Sequence, residues 1–293
     1  MDRIGALVEQ GWGVAVAAVR RLDGGLDRNA TTYEATGLDG RRYFVKLRTG
    51  PAEVAVPQHL HRTGVTAVVA PTGAPLLADD GTQVLLYPFV DGHGCWTTGF
   101  TDEQYVAYGR IIAAVHAATV PPGVPVETFD PSSVALLRSL AGRAEENDEL
   151  AALWRAHAGP IELLCDRAEA LRAAARATQP VLCHGDIHTG NVLAGPDGKL
   201  SIVDWDAPLH APRERDLVFV LAGPWGEQVV TERRRALFFQ GYGRYEVHRP
   251  TLDYYHAERV VDDLGQFALS VLDPASDEET RRTALHWMRR NLG

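Results

Sequence analysis

Between residues 14 and 90 apolar and polar positions alternate over short runs, whereas from residue 101 onward apolar positions recur at helical spacing. VAVAAVRRL, ATTYEAT and RRYFVKL are alternating or β-branched and are separated by DGGLDRN and GLDG, the punctuation of hairpins, so they predict an antiparallel sheet. AEVAVPQHLHRTG has helical spacing, but Pro57 inside it removes an amide donor and predicts a kink. APLLADDGTQVLLYPFVDG reads as a further hairpin running into an extended linker, and that linker marks the expected boundary between two lobes.

The helical part opens on TDEQYVAYGRIIAAVHAATVPPG, where Thr101 and Gln104 have the spacing of a capping box and Pro121-Pro122 supply the stop. Helices are also expected in PSSVALLRSLAGRAEENDELAALWRAHAG, PIELLCDRAEALRAAARA, TERRRALFFQGY, TLDYYHAERVVDDLGQFALSVL and EETRRTALHWMRRN. Only PVL, VLAG and LSIVDW interrupt them with strand character.

Composition narrows the class of protein. A chain of 293 residues that is 45% apolar and 23% charged can bury one large or two modest cores. No apolar run approaches the roughly 18 residues of a membrane span, and the first residues lack a leader pattern, so a cytoplasmic protein with no membrane partner is expected. Cys95, Cys165 and Cys183 form no C-x-x-C pair, which predicts reduced thiols and no structural zinc. The net charge of -9 argues against general affinity for nucleic acid and suits a cationic small-molecule ligand. Nothing indicates an obligate protein partner.

The densest chemistry lies in LCHGDIHTGN, residues 182–191, a loop between the strand-like PVL and VLAG, with IVDWD following the next turn. Asp186, Asn191 and Asp204 are therefore expected to converge. An Asn oxygen and an Asp carboxylate make a fair Mg2+ site when phosphate oxygens complete the shell, while a second carboxylate that binds no metal can accept a proton. This is the division of labour in phosphoryl transfer from a nucleotide to a hydroxyl. It requires a lysine in the strand region, which YFVKL supplies as Lys46, with Glu53 as the acid to hold it. LDGGLDRN offers Gly24, Gly25 and Asn29 to cover phosphates, although the glycines serve a plain hairpin turn equally well. Tyr87 and Phe89 of the linker complete the expected nucleotide contacts. His116 and Cys183 read as packing residues, and Trp205 as a neighbour of the metal site.

HGDIHTGNVL followed by IVDWD resembles the signature of the aminoglycoside phosphotransferase family of small-molecule kinases, and Lys46, Glu53, LLYPFVDG and IIAAVHAAT extend the resemblance over most of the chain. The resemblance implies a bilobal, protein-kinase-like α/β fold: residues 1–90 as a nucleotide-binding lobe, a hinge near 87–94, and residues 95–293 as a catalytic and substrate-binding lobe. It implies ATP, or GTP, with Mg2+; Asp186 as catalytic base; Asn191 and Asp204 as metal ligands; Lys46 and Glu53 as the phosphate-positioning pair; and His184 as support for the loop. D-W-D stands where protein kinases have Asp-Phe-Gly, which argues against a protein substrate.

The implied acceptor is an aminoglycoside or aminocyclitol antibiotic, with choline, homoserine or methylthioribose as the metabolic alternative. YYHAERVVDDLGQF loosely resembles the spectinomycin-type branch. Within it Tyr255, Glu258 and Asp262 share one helix face and, with His188, are candidate acceptor contacts; a merely solvated acidic face explains the spacing as well. Two other readings compete. A binuclear metallophosphoesterase would need later G-N-H and G-H-x-H segments, which are missing. An inactive kinase-like binding module would be expected to lack Lys46, Asp186 or Asp204, and all three are present.

Overall fold

The computed structural model describes residues 3–22, 30–175, 179–222 and 230–293. They fall into two compact units, the first formed by Met1–Pro125, Val181–His210 and Pro224–Arg244, the second by Val126–Pro180, Ala211–Gly223 and Tyr245–Gly293.

The first unit begins with a helix, α1 (Arg3–Trp12), where the strand-dominated reading gave no element. β1 (Val16–Leu22), β2 (Ala30–Gly37), β3 (Arg42–Arg48), α2 (Ala55–Arg62), β4 (Leu76–Leu77) and β5 (Gln83–Pro88) follow, and the strands form an antiparallel sheet in the order β1-β2-β3-β5-β4. Ile4 and Val8 of α1 pack with Ala35, Val45, Val84 and Leu86 on one face of this sheet. Side chains alternate across a strand, so burying Val45 there sends its neighbours Phe44 and Lys46 to the other face. Pro57 does not kink α2. It is the third residue of the helix, in the first turn, where a backbone N–H has no intrahelical acceptor and its loss costs nothing.

β6 (His93–Gly94) and α3 (Cys95–Thr98) lead into α4 (Asp102–Ala117), whose capping box is formed: Gln104 N–H donates to Thr101 Oγ1 at 3.2 Å and Thr101 N–H to Gln104 Oε1 at 2.9 Å. The helix ends before the proline pair, at Ala117. The second unit then supplies α5 (Ser132–Leu140) and α6 (Asp148–Ala175). α6 is broken at His157 (φ -122°, ψ 16°), three residues before Pro160, because a proline ring crowds the turn before it.

The chain continues through β7 (Pro180–Cys183), β8 (Val192–Ala194), β9 (Leu200–Ile202) and β10 (Leu209–Pro212), and β6, β8 and β9 make a small antiparallel sheet behind the 184–191 loop. α7 (Glu214–Leu221) is an element that the sequence reading does not give; its apolar part is the short continuous run LVFVL, which suits a buried strand as well as a helix. α8 (Glu232–Tyr242), α9 (Arg249–Leu272) and α10 (Glu278–Leu292) occupy the expected segments.

Within the first unit α4 and α8 cross at two glycines. A Cβ at Gly109 would lie 2.1 Å from the Phe238 carbonyl oxygen, and one at Gly241 would lie 1.9 Å from that of Val106. From α4, the buried Tyr108 hydroxyl donates to the Ile187 carbonyl at 2.7 Å and so ties the helix to the loop. The three cysteines are buried free thiols, and burial pushes Cys95 and Cys165 up to about 11. Among the described residues no helix is long and apolar enough to cross a membrane.

Candidate active site

The loop 184–191 is held by its own histidine. Gly185, at φ 86°, turns the chain where a Cβ would sit 2.3 Å from the Ala207 carbonyl oxygen, so only glycine fits that approach. His184 is fully buried: its Nδ1 accepts from Asp186 N–H at 3.3 Å, which makes Nε2 the protonated nitrogen that donates to the Val203 carbonyl at 3.0 Å. The ring packs on Trp205, centroid to centroid 4.4 Å. One imidazole thus ties the segment carrying Asp186 to the segment carrying Asp204.

Asn191 closes the other end of the loop. Its Nδ2 donates to the Asp186 carbonyl at 2.8 Å, and its own carbonyl accepts from Val203 N–H at 3.0 Å. Fixing Nδ2 in this way leaves Oδ1 as the amide atom available to a cation. The Asp186 side chain remains 36% exposed, enough for a hydroxyl to reach it. His188 lies beside it, Nε2 to Oδ2 3.8 Å; its Nδ1 accepts from Gly190 N–H at 3.0 Å and its ring meets Trp96 edge-on at 5.1 Å.

Asp204 has φ 63°, a left-handed conformation that Asp tolerates better than most residues but that still carries strain. Its Oδ1 lies 2.7 Å from Lys46 Nζ, and Asp206 Oδ2 lies 2.5 Å from the same ammonium. Asp206 Oδ1 also pairs with Arg48 Nη1 at 2.8 Å. Burial alone would lower the Lys46 pKa, but the two carboxylates outweigh it and hold the ammonium above the ordinary lysine value.

Glu53, Tyr87 and Phe89 each have neighbours within the first unit. Glu53 turns Oε1 to Val56 N–H at 2.9 Å, capping the start of α2, while Lys46 meets Asp204 and Asp206. Tyr87 stands opposite Phe44 across β3 and β5, and burial, then the charges of Asp206 and Asp204, push its hydroxyl well above the usual tyrosine range. Phe89 lies under the Arg42 guanidinium at 3.9 Å. Gly24, Gly25 and Asn29 lie outside the described residues.

The acceptor candidates of α9 belong to the second unit. There Tyr255 is 1% exposed and donates its hydroxyl to Glu127 Oε2 at 3.1 Å, Glu258 pairs with Arg215 at 2.9 Å, and Asp262 accepts from Gln266 at 3.4 Å. That part of the acidic face is engaged by the chain's own groups. Asp206, Arg48 and Tyr108 were missed as site residues. The second carboxylate of D-W-D and the i, i+2 spacing of Lys46 and Arg48 were the available signals for the first two; Tyr108 had none.

The donor set suits a hard cation. Asn191 Oδ1 and the Asp204 carboxylate are oxygen ligands of the kind Mg2+ takes, and the loop adds no thiolate to them. A solvent-reachable carboxylate, two oxygen groups suited to a cation and a buried ammonium lie in one unit, the kind of set that phosphoryl transfer uses.

Comparison with known proteins gives the same class. The phosphotransferase enzyme family model (APH) matches residues 18–255. Spectinomycin phosphotransferase APH(9)-Ia, solved with ADP and spectinomycin, is 25% identical, with 98% of this chain and 93% of that chain covered and a TM-score of 0.87. A Deinococcus radiodurans protein described as uncharacterized is 26% identical over 275 residues, 85% of this chain and 75% of its own length. Choline kinase LicA from Streptococcus pneumoniae shares the fold at 14% identity, with 99% and 97% of the two chains covered and a TM-score of 0.62. The fold is the kinase-like α/β fold, and since the match runs through both the loop and the D-W-D segment, the chain belongs to the phosphotransferase enzyme family and is a small-molecule kinase.

Proposed function

We propose that this protein transfers the γ-phosphoryl group of ATP to a hydroxyl of a cationic small molecule, an aminoglycoside or aminocyclitol antibiotic, as a cytoplasmic resistance or self-protection enzyme. The observation that carries the reading is the frame in which His184 joins Asp186 to Val203 while Lys46 lies on Asp204. In it residues 1–90 bind the nucleotide with Lys46, Tyr87 and Phe89, residues 87–94 act as hinge, and residues 95–293 carry catalysis and the acceptor. Asp186 aligns the acceptor hydroxyl and takes its proton. Lys46 contacts the phosphates, and Asn191 and Asp204 hold Mg2+, which neutralises phosphate charge when bound. Glu258, Asp262 and His188 are the groups read as acceptor contacts, an incoming ammonium competing with Arg215 for Glu258, and Tyr255, at 1% exposed, would have to leave Glu127 to join them.

The likeness to a spectinomycin kinase favours an aminocyclitol, and the net charge of -9 fits any of these cationic acceptors. The choline kinase keeps amino alcohols as the second reading. The test is incubation with Mg-ATP and a panel of spectinomycin, aminoglycosides, choline, ethanolamine, homoserine and methylthioribose. ADP and a phosphorylated acceptor, read by mass spectrometry, are expected with one class. Hydrolysis of phosphoesters without transfer, or binding without turnover, would replace the kinase reading with the phosphatase or binding-module alternative.

The metal assignment has its own test. Asp204→Asn keeps a residue suited to the left-handed turn while removing the carboxylate charge, so the protein is expected to stay folded and lose Mg-dependent nucleotide use. Asn191→Ala is expected to raise the Mg2+ concentration needed for half-maximal rate. An Asp204→Asn enzyme with the wild-type Mg2+ dependence would place the metal elsewhere.

A further inference from the structure

Among the described residues, Lys46 meets two carboxylates that are not equivalent. Asp204 belongs to the oxygen set given above to the metal, so its oxygens face two demands once Mg-nucleotide is bound. Asp206 instead bridges two cations of the chain itself, Oδ2 at 2.5 Å from Lys46 Nζ and Oδ1 at 2.8 Å from Arg48 Nη1. Lys46 and Arg48 stand two residues apart on β3 and leave the same face of the strand. Both side chains are well covered, 8% and 14% exposed, and Asp206 is 24% exposed, so these contacts are less screened by water than surface pairs. Asp204, Asp206, Lys46 and Arg48 together balance two negative and two positive charges. Glu53, on the other side of the account, has its Oε1 on the first turn of α2.

We propose that Asp206, anchored by Arg48, is the carboxylate that positions Lys46 for the nucleotide phosphates, the part expected of Glu53. The inference rests on the reading of Lys46 as the phosphate-contacting lysine. When the Asp204 oxygens are turned to a metal, Lys46 keeps an anion at hydrogen-bond distance, and Arg48 keeps that anion from following the flexible lysine chain. Arg48 is a positioning residue that acts through Asp206.

ADP binding, followed by calorimetry with and without Mg2+, tests this alongside KM for ATP and for the phosphorylated acceptor. Asp206→Asn is expected to weaken ADP binding by about tenfold to hundredfold, the loss of one charge-assisted hydrogen bond, and to raise KM for ATP while leaving acceptor KM within about twofold. Arg48→Met is expected to follow it in direction, and Arg48→Lys to restore most of the loss. Glu53→Gln is expected to leave ADP affinity within about twofold. Wild-type ADP affinity in Asp206→Asn, or a larger loss in Glu53→Gln, overturns the proposal. If Asp206→Asn fails to fold by circular dichroism, the Arg48 series decides: an unchanged ATP KM in Arg48→Met overturns it. Lys46→Met separates the two layers. A Lys46→Met protein that binds ADP and uses ATP as wild type overturns the lysine assignment and this proposal together; impairment there with none in Asp206→Asn overturns this proposal alone.

Discussion

Asp186→Asn is expected to lower kcat for acceptor phosphorylation by about 10²–10⁴, the range for loss of a general base. The variant isolates the carboxylate because the rest of the residue's work is done by backbone atoms: its N–H donates to His184 and its carbonyl accepts from Asn191. An amide side chain of the same size leaves both bonds in place. KM for ATP is therefore expected to stay near wild type, since Lys46, Asp204 and Asp206 are untouched. Steady-state rates over a range of ATP and acceptor concentrations check the split. Near-normal kcat in a folded Asp186→Asn protein would remove Asp186 from the role of base and turn attention to His188, whose Nε2 lies 3.8 Å from the carboxylate.

The second large effect is on stability. Gly241→Ala and Gly109→Ala each place a methyl group within 2.1 Å of a backbone carbonyl oxygen of the facing helix, and backbone cannot step aside as a side chain does. α4 and α8 must move apart, and overpacking of this kind costs about 1–3 kcal/mol or more, against a gain of about 1 kcal/mol from helix propensity. A fall in Tm of several degrees is expected for each in thermal denaturation. Gly265→Ala, in the middle of α9, is the control: its would-be Cβ meets only the Leu136 side chain, at 3.4 Å, an ordinary contact, so the propensity gain dominates and Tm is expected to hold or rise. Equal behaviour of Gly241→Ala and Gly265→Ala would mean that α4 and α8 are not held at that spacing.

Elements whose signal is local were readable in the chain. β1, β2 and β3 alternate and are bounded by turn residues, and α4 announces itself by its capping box. α7 was not, since its apolar part is a short continuous run, LVFVL, that imitates a buried strand. The loop residues Asp186 and Asn191 were legible for the same reason as the strands: their contact is made within six consecutive residues. What could not be read is what depends on distant partners. Nothing near Glu53 shows that its carboxylate caps α2, and nothing near Glu258 shows that Arg215 reaches it from another helix. Pro57 was misjudged by position alone, two residues into a helix instead of in its middle.

The left-handed backbone at Asp204 reaches beyond the living enzyme to the fate of its copies. A duplicated gene released from selection for phosphotransfer can discard the carboxylate, but the fold still asks for a residue that accepts φ 63°. Asn and Gly meet that request cheaply, whereas Ala pays strain at the turn and Val or Ile still more. Decayed descendants of this chain that survive as folded, non-catalytic proteins are thus expected to drift at position 204 toward Asn or Gly, leaving a recognisable scar of the lost activity.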